Sequence, residues 1–250
     1  MTRCEPEARR PTVREELIGR RAAEIRGMFG RVAHRYDLLN RVLSLGQDLI
    51  WRRVVVGRVA AARPGRVLDV CTGTGDLALA FDAPTLASDF CLPMLARARS
   101  KADGRGRPLD LAVADALQLP LAEGTFDVVT VAFGVRNFED LDRGLAELVR
   151  VLSPGGRLLV LEFSRPRGLL GPLLRWWVRT VPPVVGRWLS GDAEAYSYLP
   201  ASVGLFPDRQ EMAERLRAAG LVRVDARSLT GGVATLYEGV KGNGEAEHDG

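Results

Sequence analysis

The sequence predicts an α/β fold built on a seven-stranded, mostly parallel sheet that ends in an antiparallel hairpin and is preceded by extra N-terminal helices. Three observations predict it. Beyond Pro64, short β-rich runs alternate with helical stretches; a glycine-rich turn follows the first of these runs; and the chain closes on two strand-like runs joined through Gly231 and Gly232. Strand alternating with helix is the pattern of a parallel sheet covered on both faces.

In chain order, residues 1–13 read as a disordered arm, with few groups to bury. Residues 14–62 carry apolar residues at helical spacing, as in Leu38, Leu39, Val42 and Leu43, broken by the turn signal LSLG; two or three N-terminal helices are expected there. The runs RVLDV, TLASDF, LDLAVADA, FDVVTVAF and RLLVLEF are the five parallel strands. VLDVCTGTGDLALAF passes straight from strand through the glycine turn into a helix-forming run, and LDRGLAELVRVL is a helix stopped by SPGG at 153–156. Residues 167–206 are too long and too apolar for a plain connection, and read as an insertion facing lipid or substrate. DRQEMAERLRAAG is a helix with Gly220 at its C-terminal cap, followed by the hairpin strands VRVDARSL and GVATLYEGVK. Residues 14–241 therefore form a single domain, and 242–250 a disordered tail.

With 250 residues the chain can bury one sizeable core. Its net charge of +4 comes almost wholly from arginine, since Lys101 and Lys241 are the sole lysines. A coding bias accounts for that skew, so no nucleic-acid partner is expected. Three cysteines, Cys4, Cys71 and Cys91, with no C-x-x-C spacing, argue against a disulfide framework and a metal site, and fit the reducing cytoplasm. No uncharged apolar run approaches the ~18 residues that a membrane span needs.

Gly73, Gly75 and Ala78 also satisfy the dinucleotide fingerprint G-x-G-x-x-A, so the glycines alone do not choose a ligand. The acidic neighbours do. Asp69 lies inside the first strand, where a carboxylate is costly to bury unless it meets donors such as an ammonium or loop amides. Asp89 ends the second strand, placed to accept from the two hydroxyls of a ribose, and Asp115 ends the third, placed to meet an adenine amino group. A nicotinamide cofactor offers no ammonium at Asp69, whereas the methionine part of S-adenosylmethionine does. Three acidic residues at three strand ends are the layout of a class I S-adenosylmethionine-dependent methyltransferase, a Rossmann-like fold. In the blander reading, Asp89 caps the helix of CLPMLARARS and Asp115 caps a turn.

At these residues the sequence closely resembles the UbiE/MenG family of ubiquinone and menaquinone C-methyltransferases. The resemblance is carried by FGRVAHRYDLLNRVLSLGQDLIWRR (29–53), VLDVCTGTGDLAL, the run from DALQLP to EFSRP (115–166) with its FGVRN, YSYLPASVGLFP, and LTGGVATLYEG. It implies methyl transfer from S-adenosylmethionine to a ring carbon of a prenylated quinol, converting demethylmenaquinol to menaquinol, with the related ubiquinone step as a second substrate. Thr74, Asp89, Asp115 and Ala116 match the family's cofactor positions, and Cys71 stands where many such methyltransferases have a glycine.

An aromatic carbon becomes nucleophilic once the adjacent hydroxyl loses its proton, so the enzyme must align the reactants and help that proton leave; the transfer needs no metal. His34, Tyr36, Asp37, Arg136 and Asn137 are the candidates for that environment. Arg136 is no base at its ordinary pKa but is suited to stabilising a phenolate or orienting a water. The segment 169–189 holds Trp176, Trp177 and Trp188 among arginines, with no acidic residue until Asp192. That composition suits the inner membrane surface, with the protein peripheral to it, and would equally serve a lid or a homodimer surface. Two other functions fit the same motifs: a methyltransferase of another small phenolic or polyketide substrate, and a non-catalytic S-adenosylmethionine-binding accessory protein.

Overall fold

The computed structural model describes residues 36–166 and 202–243, together with Gly27, Gly30, Arg31 and Thr180. His34, the arm 1–13, the tryptophan-rich run 169–189 apart from Thr180, and the rest of the tail lie outside the described residues.

Two helices come first, α1 (Tyr36–Leu43) and α2 (Gln47–Ala62). The LSLG turn separates them as expected, with Leu45 and Gly46 in the left-handed region at φ 52° and 75°. The strands are β1 (Val67–Val70), β2 (Thr85–Asp89), β3 (Asp110–Val113), β4 (Phe126–Ala132), β5 (Leu152–Phe163), β6 (Leu221–Leu229) and β7 (Ala234–Lys241). Between them run α3 (Leu92–Gly104), α4 (Leu141–Val151) and α5 (Arg209–Ala218). The sheet has seven strands in the order β3-β2-β1-β4-β5-β7-β6. The first five are parallel, and β7 runs antiparallel to both β5 and β6, giving the terminal hairpin. The strand order reverses between β1 and β4, the position at which open α/β sheets bind ligands beyond their carboxyl ends.

The faces of the sheet follow from strand alternation. Leu68, Val70, Val129, Val131, Leu158 and Val160 pack with Leu145 and Leu148 of α4 and Met212 and Leu216 of α5. Val67, Val128, Leu159 and Leu161 face the other way, onto Trp51, Val55 and Val59 of α2. Asp69 and Thr130 belong by alternation to this second face, so the carboxylate of β1 looks toward α2. No described helix is long and apolar enough to cross a membrane.

Two local expectations differ from the structure. The run after the glycine turn is a single 3-10 turn, Ala78–Ala80, not an α-helix. A parallel crossover needs about a dozen residues. Residues 71–84 barely meet that length, and the first of them are spent on the glycine loop. SPGG does not precede β5 but lies inside it: Phe126 pairs with Leu152 and Val128 with Arg157, so the four residues bulge out of the register. Gly155 takes φ 73° there.

α4 docks against the site through Gly144, where a Cβ would lie 2.3 Å from Phe138 Cδ2. Gly144→Ala is therefore expected to lower stability by about 1–3 kcal/mol through overpacking, against alanine's higher helix preference; urea unfolding of the two chains measures it.

Candidate active site

The site forms where the chain leaves β1 and β4. Both strands are followed by a non-glycine residue in the left-handed region, Cys71 at φ 54° and Phe133 at φ 61°. Such residues cost on the order of 1–2 kcal/mol and are held there only by surrounding contacts. Phe133 N–H donates to Leu161 O at 2.7 Å, and Phe133 stacks on Phe163 with ring centres 4.5 Å apart. Gly134 passes so close to Cys71 that a Cβ there would sit 2.5 Å from the cysteine Cβ. These two turns thus lie against each other and form one floor.

Asp69 is 1% exposed and accepts 2.6 Å hydrogen bonds from two hydroxyls, those of Thr72 and Thr130. One comes from the glycine loop and the other from β4, so the carboxylate ties the loop and β4 to the central strand. Both of its oxygens are engaged within the protein, which places the predicted ammonium partner in competition with two threonines. Burial raises its pKa from the ordinary 3.8 to about 6, against the lowering effect of the two hydroxyls and of the Arg52 charge. Burial also pushes the Cys71 thiol well up, so no thiolate is offered.

Asp89 ends β2 as predicted. One oxygen accepts from Gly73 N–H and the other from Cys91 N–H, each at 2.8 Å. It therefore holds the glycine loop and starts α3, whose first residue follows Cys91. Burial raises its pKa, opposed by these backbone donors. Gly73 and Gly75 take φ 58° and 78°, and a Cβ on Gly75 would lie 2.9 Å from Ala98 Cβ of α3. Asp115 lies just past β3 in a turn, accepting from Leu117 N–H at 2.9 Å, with Ala116 beside it.

Together these residues line one open cleft: Gly73 and Asp89 on one wall, Asp115, Ala116 and Leu117 on the next, and Ala132, Gly134, Asn137 and Phe138 opposite. Acidic acceptors, bare loop backbone and apolar walls in one groove fit an adenosine: the carboxylate for ribose hydroxyls, the loop for close approach, and the apolar walls for the base.

The remaining predicted residues are placed less simply. Thr74 and Asp37 meet, but in an internal network: the Thr74 hydroxyl donates to Asp37 at 2.6 Å, and Lys101 Nζ lies 2.5 Å from Asp37, 2.7 Å from Asp76 and 2.8 Å from the Thr74 hydroxyl. This network fastens α1 to the glycine loop. Tyr36 opens α1, and His34 lies outside the described residues. Arg136 follows β4 in the 3-10 turn Val135–Asn137, but its guanidinium turns inward. It is 6% exposed and pairs at 2.8 Å with Glu162, which is fully buried, while lying over the Phe163 ring. Asn137 faces the cleft.

Sequence reasoning did not single out Thr72, Thr130, Lys101, Glu162 or Arg52. Glu162 and Thr130 carried a signal, being polar residues inside apolar strand runs, the same signal that marked Asp69.

Residues 18–241 match the ubiE/COQ5 methyltransferase family. A demethylmenaquinone methyltransferase of Thermus thermophilus is 49% identical over 218 residues, covering 85% of this chain and 99% of that protein. A ubiquinone/menaquinone biosynthesis C-methyltransferase UbiE of Bordetella avium is 43% identical, covering 89% and 90%. Among solved structures, a SAM-dependent methyltransferase from Thermotoga maritima superposes with TM-score 0.57 at 19% identity, covering 86% of this chain and 99% of that one. Haemonchus contortus phosphoethanolamine N-methyltransferase 2, solved with S-adenosyl-L-methionine, gives TM-score 0.53 at 15% identity; the match covers 71% of this chain and spans about half of that one, 48%. At these identities the structural likeness is one of fold.

The raised pKa of Asp69 has a testable sign. The folded value lies above the unfolded one, so the native state holds the extra proton between about pH 4 and 6, and stability falls as pH rises through that window, by on the order of 3 kcal/mol. Urea unfolding from pH 4 to 7 should show this decline, and Asp69→Asn should make it shallower, leaving the part of the same sign that Asp89 contributes.

Proposed function

The chain belongs to the ubiE/COQ5 methyltransferase family, and from that membership we propose that it is an S-adenosylmethionine-dependent C-methyltransferase converting demethylmenaquinol to menaquinol. The observation that carries this reading is the meeting, in one cleft at the strand-order reversal, of Asp89, the bare glycine loop and Asp115 with the Ala132–Asn137 turn opposite. When bound, S-adenosylmethionine supplies an electrophilic methyl group on a sulfonium.

The protein's own residues supply position and exclusion of water. The Asp89 carboxylate and the Gly73 backbone hold the ribose, and Asp115 and Ala116 meet the base. Phe90, Leu117 and Phe138 keep the groove apolar, which strengthens every polar contact within it. Asn137, on the opposite lip, donates to the phenolic oxygen as charge develops there. Arg136 acts as a positioning residue in this arrangement: its bond to Phe133 O and its buried pair with Glu162 fix the turn that carries Asn137. His34 and Tyr36 are the remaining candidates to take the phenolic proton. We assign the contact with the bilayer surface, from which a prenylated quinol enters, to residues 169–189 on their composition, and the same run is the candidate surface for a homodimer.

The test is transfer of a labelled methyl from S-adenosylmethionine to demethylmenaquinol presented in vesicles containing anionic lipid. Quinol-dependent transfer is expected, with Asn137→Ala lowering kcat by about 100-fold. Replacing Trp176, Trp177 and Trp188 by alanine should lower transfer from vesicles but not from detergent micelles. Transfer only to soluble phenols would support a different acceptor, and binding of the donor without turnover would support an accessory role; either result overturns the proposal.

A further inference from the structure

A second, smaller pocket opens beside the glycine loop, on the α2 side of the sheet. It is bounded by Arg52, Asp69, Thr72, Gly73 and Thr74 and shares Gly73, Cys71 and Ala132 with the adenosine cleft. Arg52 stands out within it. Its Nε is buried and has no hydrogen-bond partner, and among the described residues its guanidinium forms no ion pair. Its neighbours are the face of the Phe133 ring, 5.8 Å from the guanidinium carbon, and the charge of Asp69. No hydrogen bond or ion pair joins it to Asp69, whose two oxygens accept from threonine hydroxyls. Asp37 on α1 is committed to Lys101.

A buried N–H without an acceptor costs about 1–3 kcal/mol, so natural proteins leave few of them, and each calls for a reason. Here the position supplies one. A nucleoside whose ribose meets Asp89 directs whatever hangs on its 5′ carbon across Gly73, because Gly73 belongs to both pockets and the Gly73 N–H is bound to Asp89. The far end of that substituent arrives beside Arg52. A planar guanidinium with free donors selects a carboxylate.

We propose that Arg52 binds the carboxylate of the methionine part of S-adenosylmethionine, and that α2 thereby supplies one wall of the donor site. This rests on the methyl-donor reading given above and names a residue outside the glycine loop and strand ends. The aromatic face of Phe133 holds the guanidinium in place before the ligand arrives, so little side-chain freedom is lost on binding. The ammonium of the same group then falls to the glycine-loop side, leaving the two charges of the amino acid on different elements.

Titration calorimetry with two nucleosides isolates the carboxylate: S-adenosylhomocysteine, and its decarboxylated analogue 5′-deoxy-5′-(3-aminopropylthio)adenosine, which keeps the ammonium. The full-length chain is expected to bind the analogue about 10–100-fold more weakly than S-adenosylhomocysteine, the range given by losing one charge-assisted pair. Arg52→Gln, which preserves most of the stem packed on Phe133, should weaken S-adenosylhomocysteine by a similar factor and leave the analogue unchanged. Arg52→Lys should recover part of the loss. If Arg52→Gln weakens both nucleosides equally, or neither, the carboxylate assignment is overturned while the methyl-donor reading stands. A wild-type chain that binds neither nucleoside overturns both.

Discussion

The carboxylate of Asp69 is the constraint on which the rest of the site depends. It sits in the central strand at 1% exposure, and two hydroxyls offset part of the cost of burying it. Because one hydroxyl belongs to the glycine loop and the other to β4, the same interaction that makes the burial tolerable also ties the loop to the strand that leads into the second turn of the cleft. Remove it, and the glycine loop loses its side-chain tie to β4, next to the left-handed residues Cys71 and Phe133. The polar network is thus a fastening for the strained edge of the sheet, and the ligand groove is what that fastening leaves open.

Around it, three further charged groups divide the work. Asp89 faces loop amides and joins β2 to the glycine turn. Lys101, one of two lysines in the chain, gathers Asp37, Asp76 and Thr74, so that α1 and α3 are tied to the same loop. Glu162 meets Arg136 under the turn after β4, and as a fully buried pair these two are costly to separate. Each carboxylate therefore serves two purposes at once, holding backbone in place and setting the charge that a ligand meets. A cleft of this kind is pre-organised, which is the condition for methyl transfer by alignment alone.

Much of this was legible in the sequence, and the reasons are local. An aspartate inside VLDV and another closing TLASD are expensive where they stand, and expense in a strand signals a partner. Strand-to-helix alternation fixed the sheet, and two apolar runs around Gly231 and Gly232 fixed its hairpin. Other features were hidden because they depend on distance across the fold. That Thr74 spends its hydroxyl on Asp37 follows from α1 folding back onto the loop, which no spacing reveals. Arg136 reads as a group reaching toward the cleft until β5 delivers Glu162 beneath it. Arg52 looks like any arginine on a helix; what marks it, once α2 has docked over Asp69, is a buried, partner-free Nε beside the glycine loop. The short crossover between β1 and β2 misled in the opposite sense, because helix-forming residues were present but room for a helix was not.

The most direct measurement is the electron density of the protein crystallised with S-adenosylhomocysteine. The nucleoside is predicted to lie over Gly73, with its ribose hydroxyls at Asp89 and its base beside Asp115 and Leu117. Density for the nucleoside elsewhere, with the cleft over Gly73 left open, would contradict the account at its centre.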